Sequence, residues 1–122
     1  MEILQTQAKF ESVIRSKRAI VFVSFAWSRQ ALLSEQVVVE WERTWNIWHP
    51  KLSVGLFKLE PDDHPYTWEW LKGTSERGGY GSLAWVKNGA TVDSERYVLG
   101  AGLRDVARRT EQAFSEDAVI QS

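Results

Sequence analysis

The pattern of apolar and polar positions is clearest between Ala19 and Leu33, AIVFVSFAWSRQALL. Ala19 to Phe25 is almost continuously apolar and rich in Val, Ile and Phe, which predicts a central strand buried on both faces. The run ends at Trp27, and Ser28-Arg29-Gln30-Ala31 turns the chain into a helix. Ser28 suits the N-cap, where its hydroxyl accepts a backbone N–H that the first turn leaves unpaired. Beyond it Leu33, Val37, Trp41, Trp45 and Trp48 recur at helical intervals, so a helix is predicted from about Arg29 to about Trp45, stopped by His49-Pro50.

The flanking chain reads in the same way. Ile3 to Gln5 forms a short edge strand, and Phe10, Val13 and Ile14 mark an amphipathic helix ending at Lys17-Arg18. Lys51 to Leu59 is a second strand, and Glu60-Pro61-Asp62-Asp63-His64-Pro65 is a turn. Pro65 opens a short helix with Tyr66, Trp68 and Leu71. Lys72 to Gly81, with four glycines, predicts a flexible, exposed loop. Ser82 to Val86 is a third strand, joined through the hairpin turn Lys87-Asn88-Gly89-Ala90 to a partner over Thr91 to Leu99. Leu103, Val106, Ala107, Thr110 and Phe114 share one face of a last helix, and Ser115 to Ser122 is expected to fray. The sum is one α/β domain over 1–122, a sheet with helices on both faces.

Composition adds exclusions. Lys plus Arg total 15 against 16 for Asp plus Glu, so no large field is expected to draw nucleic acid or a membrane surface. The start MEILQTQAKF lacks the build of a signal peptide, which makes the cytoplasm the expected compartment. There is no cysteine, which removes disulfides, thiolate metal sites and thiol catalysis together. There are seven tryptophans, a residue used both in cores and at interface anchors, and composition does not say which use applies.

Five local motifs, in order and at matching spacing, resemble the thioredoxin family. Lys9-Phe10 with Val13-Ile14 resembles its first-helix signature, and Ala19 to Trp27 its central strand ending in the active-site tryptophan. Leu59 to Pro65 is similar to the Val-Asp-Val-Asp-Glu-Asn-Pro segment, matching at Asp62 and Pro65 and conservatively at Glu60. Leu83-Ala84-Trp85-Val86-Lys87-Asn88-Gly89 resembles the strand and turn after the cis-proline, and Leu99-Gly100-Ala101 the Val-Gly-Ala before the last helix. The resemblance implies a three-layer sandwich around a central mixed sheet.

The departures fall where the family performs its chemistry. Ser28, Arg29, Gln30 and Ala31 stand at the Cys-Gly-Pro-Cys positions, Phe22 at the buried acid, Gly81 at the cis-proline and Gln36 at the helix-kinking proline. Short insertions fall around Trp48 and within Gly73 to Gly79. Dithiol exchange requires an attacking thiolate and a resolving thiol, and neither is available. The resemblance therefore implies a redox-inactive, non-enzymatic member, with the former active-site face left to hold a protein or peptide in a chaperone or adaptor role. Carried over, that face is Trp27, Ser28, Arg29, Gln30 and Ala31, with Tyr80, Gly81 and Ser82, and Gly100.

Other chemistry is weakly signalled. Ser28 as a nucleophile would need a neighbouring base, and no Gly-x-Ser-x-Gly elbow is present. Ser28 and Arg29 at a helix N-terminus could attract an anion, although a solvated arginine is the plainer reading. His49, Asp62, Asp63 and His64 are metal-ligand types without ligand spacing, so no metal, cofactor or catalytic residue is expected. Trp68 and Trp70, two positions apart, cannot both face inward on a helix, which leaves one as a surface anchor. Two alternatives stay open: an assembly module that self-associates or docks through Trp-rich surfaces, and a non-redox small-ligand binder.

Overall fold

The computed structural model describes residues 1–52 and 54–121, with side chains as far as residue 114. Five strands form one mixed sheet in the order β1-β3-β2-β4-β5. These are β1 (Glu2–Ile3), β2 (Arg18–Val23), β3 (Gly55–Leu59), β4 (Ser82–Lys87) and β5 (Ala90–Glu95). β1 and β2 run parallel to β3, while β4 is antiparallel to both β2 and β5. Val21 sits mid-register, opposite Phe57 on one side and Ala84 on the other.

Period-2 alternation along β2 feeds two cores. Ile20 and Phe22 join Leu56, Leu83 and Trp85 under α2 (Arg29–Trp48), α4 (Val98–Ala101) and α5 (Leu103–Gln121). Ala19, Val21 and Val23 join Leu59 and Val86 under α1 (Gln7–Ile14) and α3 (Trp68–Leu71). The predicted sandwich is therefore observed, and Val106, Thr110 and Phe114 form the buried face of α5 as the spacing requires.

Several boundaries move. β1 is Glu2–Ile3 and not Ile3 to Gln5, and β3 starts only at Gly55. α2 continues through Trp48 because the residue that cannot be helical is His49, at φ −130 before Pro50; its N–H still caps Trp45 C=O at 2.8 Å. Its buried stripe is Ala31, Ser34, Val38, Trp41 and Trp45. Leu33 and Val37 are only half-buried and Trp48 is exposed, so the true stripe starts earlier and leaves the last tryptophan outside. Pro61–Asp63 and Pro65–Thr67 are 3-10 turns leading into α3.

β5 ends at Glu95, not Leu99, because the Tyr97 N–H donates to the Glu95 carboxylate (2.9 Å) and the chain then coils into α4. The hairpin turn is as predicted, with Asn88 and Gly89 both at positive φ (52 and 79), the geometry that matches strand twist. The register slips between Trp85 and Val86, and Val92 is the extra residue, left exposed. The frayed tail expected from residue 115 falls on side chains, and on Ser122, that lie outside the described residues; the α5 backbone is helical to Gln121.

The loop expected to be flexible and exposed is instead tied down. Thr74 and Glu76 are buried. Thr74 donates to Leu71 C=O (2.8 Å), and the Ser75 N–H donates to the Ser94 hydroxyl on β5 (2.9 Å). Glycines here serve tight turns under polar anchors, and composition alone does not distinguish that from mobility.

β5 and α5 are locked by Arg109. Its guanidinium makes paired bonds to Asp93 (2.9 Å each), reaches Glu95 (2.6 Å) and Ser94 C=O (2.9 Å), and lies over the Trp85 ring at 5.1 Å. These bonds, led by Asp93, hold its pKa above the already high arginine range. Three carboxylates, those of Asp93, Glu95 and Asp105, lose their part-buried partner if it is removed. Arg109→Met is expected to lower unfolding stability by about 2–4 kcal/mol in urea denaturation, against less than ~0.5 kcal/mol for the exposed Arg108→Met.

Candidate functional site

The site is built where β2 ends and α2 begins. Strand geometry carries the chain out of the sheet at Ser24, and Ser28 starts the helix as predicted, its hydroxyl accepting from the Ala31 N–H at 3.1 Å. Ser28 is buried, with its backbone N–H on Phe25 C=O (3.0 Å). Its hydroxyl faces a helix turn, with no imidazole or carboxylate bonded to it among the described residues, so the cap reading holds and the nucleophile reading has no base.

Trp27 projects from this turn, 67% exposed. It is nevertheless fixed: its indole N–H donates to the Asp62 carboxylate at 2.8 Å and its ring tilts on Phe25 at 5.3 Å. A Cβ added at Gly79 would stand 2.6 Å from the Trp27 ring edge, so the glycine loop closes directly over it. Phe25, Trp27, Trp68 and Leu71, with Asp62 and Glu76, line a groove of about 490 Å³. Trp68, 44% exposed with its ring 6.1 Å from Phe25, is the outward member of the Trp68/Trp70 pair, while Trp70 packs edge-on against Phe10 at 5.7 Å.

Glu76, which sequence reasoning passed over, organises the loop. Its carboxylate accepts from the Gly79 N–H (3.2 Å) and from the Ser82 hydroxyl (2.9 Å), pinning the loop to the start of β4. Tyr80 packs at a tilt against Tyr97 at 5.6 Å, with Arg96 over its ring at 5.7 Å.

Gly81 decides the shape of this end. Every described peptide bond is trans, and Gly81 adopts φ +94, which a proline ring cannot reach. A Cβ there would meet Ser34 Cβ at 2.5 Å and Ala31 Cα at 3.1 Å. The glycine therefore lets the loop press onto α2. Ser34, also missed, stitches the contact: its hydroxyl donates to Tyr80 C=O (3.0 Å) and accepts from the Leu99 N–H (3.2 Å). Gly81 C=O accepts from the Val98 N–H at 3.0 Å. The available signal was a lone polar residue on the buried stripe of α2.

Of the nine residues assigned to this face, Trp27, Arg29, Gln30, Tyr80 and Gly100 are exposed, whereas Ser28, Ala31, Gly81 and Ser82 are buried supports beneath them. Among the described residues no group of three or more His, Asp or Glu side chains could hold a metal ion, and no helix is long and apolar enough to cross a membrane. His49 and His64 stay apart, the first beside Glu111 and the second against Tyr66.

Ser34→Ala orphans a carbonyl and an N–H at once and is expected to cost about 1–3 kcal/mol in chemical denaturation. Gly81→Ala combines a close approach with a left-handed φ, and an equal or larger loss, about 2–4 kcal/mol, is expected from the same measurement.

No family model matches the chain, and no curated protein matches its sequence. Solved structures match in shape. The thioredoxin Mala s 13 of Malassezia sympodialis superposes with a TM-score of 0.70 at 12% identity, over 92% of this chain and 89% of that one. Thioredoxin from Plasmodium falciparum gives 0.67 at 18% identity over 92% and 98%. Zinc-bound human ERp44 gives 0.71 at 17% identity, over 91% of this chain and 30% of that much longer one. At such identities the likeness speaks for architecture, and the chain accordingly has the thioredoxin fold, in a form without cysteine.

Proposed function

We propose that this is a redox-inactive thioredoxin-fold protein that holds a protein or peptide segment against the Trp27 end of its sheet, as a chaperone or adaptor and not as an enzyme. The observation that carries the reading is Trp27 itself. A large indole is kept two-thirds exposed beside an aromatic-walled groove, yet is immobilised by Asp62 and Gly79, so the entropy of ordering it has been lost before any partner arrives. Tyr80 adds a second exposed ring, packed beside Gly78 of the same loop. Ser28, whose position would carry the attacking thiol in a redox member, is occupied in capping α2.

Trp27→Ala and Tyr80→Ala are expected to lose partners recovered by affinity capture with the parent chain while unfolding at unchanged denaturant concentration. Capture of the same set by both variants would remove the reading. A disulfide-reduction assay with a normal electron donor is expected to show no turnover above background.

A second reading rests on Trp48 and Ile47, 75% and 64% exposed at the far end of α2. Adjacent exposed apolar side chains favour an assembly module. Sedimentation at rising concentration checks it: self-association supports this reading, and a strict monomer removes its homo-oligomeric form.

A further inference from the structure

The outer face of α2 carries an apolar line that the core does not use. At about 100° per residue, the buried stripe of Ala31, Ser34, Val38, Trp41 and Trp45 occupies one side of the helix. Leu32, Gln36, Val39, Arg43 and Ile47 fall on the opposite side, and all five are exposed. Leu32, Val39 and Ile47 are each 48% exposed or more, and each lies about two turns from the next. The pole of a surface helix that faces water is ordinarily polar. Here apolar and polar positions alternate along it.

The order Leu-Gln-Val-Arg-Ile is symmetric about the midpoint between Val39 and Glu40. Leu32 and Ile47 lie equally far from that point along the chain, and so do Gln36 and Arg43. A helix face with this spacing is complementary to itself run in the opposite direction. A two-fold axis through the midpoint sets Leu32 of one copy against Ile47 of the other at both ends, with Val39 meeting Val39 near the axis. Gln36, a neutral side chain with both a donor and an acceptor, then comes level with Arg43 of the second copy. Arg43 is already bonded to Glu40 within its own helix, so no uncompensated charge enters the seam. Two parallel helices would instead stack Arg43 on Arg43.

We propose that the outer face of α2 packs against the same face of a second copy of this chain, antiparallel, about a two-fold axis between Val39 and Glu40. The inference deepens the assembly reading above and rests on it for self-association itself, but moves the contact from the Trp48 end to the length of α2. A helix face about 30 Å long and roughly 10 Å wide is small for a permanent dimer. The pair therefore forms and separates with concentration, with a Kd on the order of 10–100 μM.

Because the chain has no cysteine, single introduced thiols report contact without background. In the full chain under mild oxidation, Val39→Cys is expected to form a disulfide-linked dimer about tenfold faster than Arg108→Cys, at an exposed site on α5. Leu32→Cys mixed with Ile47→Cys is expected to give the mixed dimer and little of either homodimer, as the antiparallel register requires. In sedimentation, Val39→Glu brings two like charges together at the axis and is expected to weaken self-association more than about tenfold with unfolding unchanged. Trp48→Ala is expected to leave self-association within about twofold of the parent. Self-association that Trp48→Ala abolishes and Val39→Glu does not would overturn this geometry and leave the assembly reading standing. A parent that stays monomeric at millimolar concentration overturns both. Val39→Cys crosslinking no faster than Arg108→Cys, or Leu32→Cys pairing with itself as readily as with Ile47→Cys, overturns the two-fold register.

Discussion

Strand β2 is hydrogen-bonded along both edges, to β3 and β4, and covered on both faces by helices, so Ala19 to Val23 have no exit to water. Any polar side chain there would be left without solvent, at a cost of several kcal/mol unless partnered. That constraint accounts for the unbroken apolar run, and it gives Phe22 a plain role. Where the resemblance places a buried acid, this chain places a phenyl ring that fills the same core as Trp41 and Trp85. The strand is spent on packing, and its chemistry-bearing position has become part of the interior.

What β2 delivers at its end is a rigid platform. Three chain segments meet there: the first turns of α2, the Tyr80-Gly81 loop and the start of α4. Ser34 bonds to two of them from the third, and Gly81 removes the Cβ that would hold them apart. Glu76 does similar work for the glycine loop on the far side of Trp27. The exposed aromatics therefore stand on a base of buried hydrogen bonds, the arrangement by which a surface is preorganised for contact.

The tryptophans sort themselves by this architecture. Trp41, Trp45 and Trp85 are buried, Trp70 is half-buried against Phe10, and Trp27, Trp48 and Trp68 are exposed. Trp85 lies in the core with its indole N–H donating to the Thr110 hydroxyl at 2.9 Å, which in turn donates to Val106 C=O. The exposed three gather at the two ends of α2, Trp27 and Trp68 beside its start and Trp48 on its last turn. The same helix thus presents two aromatic surfaces of different character, one flanked by charges of both signs and one whose titratable neighbours, among the described residues that line it, are Glu111 and His49.

Local pattern determined the order of elements apart from α4, which the predicted strand over Thr91 to Leu99 missed, together with the two-faced burial of β2, the Ser28 cap, the Asn88-Gly89 turn and the absence of thiol chemistry, because each follows from periodicity, capping, turn preference or composition within a few residues. The ends of β1, β3 and β5 and the length of α2 did not follow: the Tyr97 N–H bond to Glu95 turns the chain out of β5, and the backbone of His49 before Pro50 ends α2. Which tryptophans face water, why Ser34 and Glu76 matter, and why the glycine loop is pinned were decided only by tertiary structure. In each case the partners lie on different elements, and burial or pairing exists only once those elements are brought together.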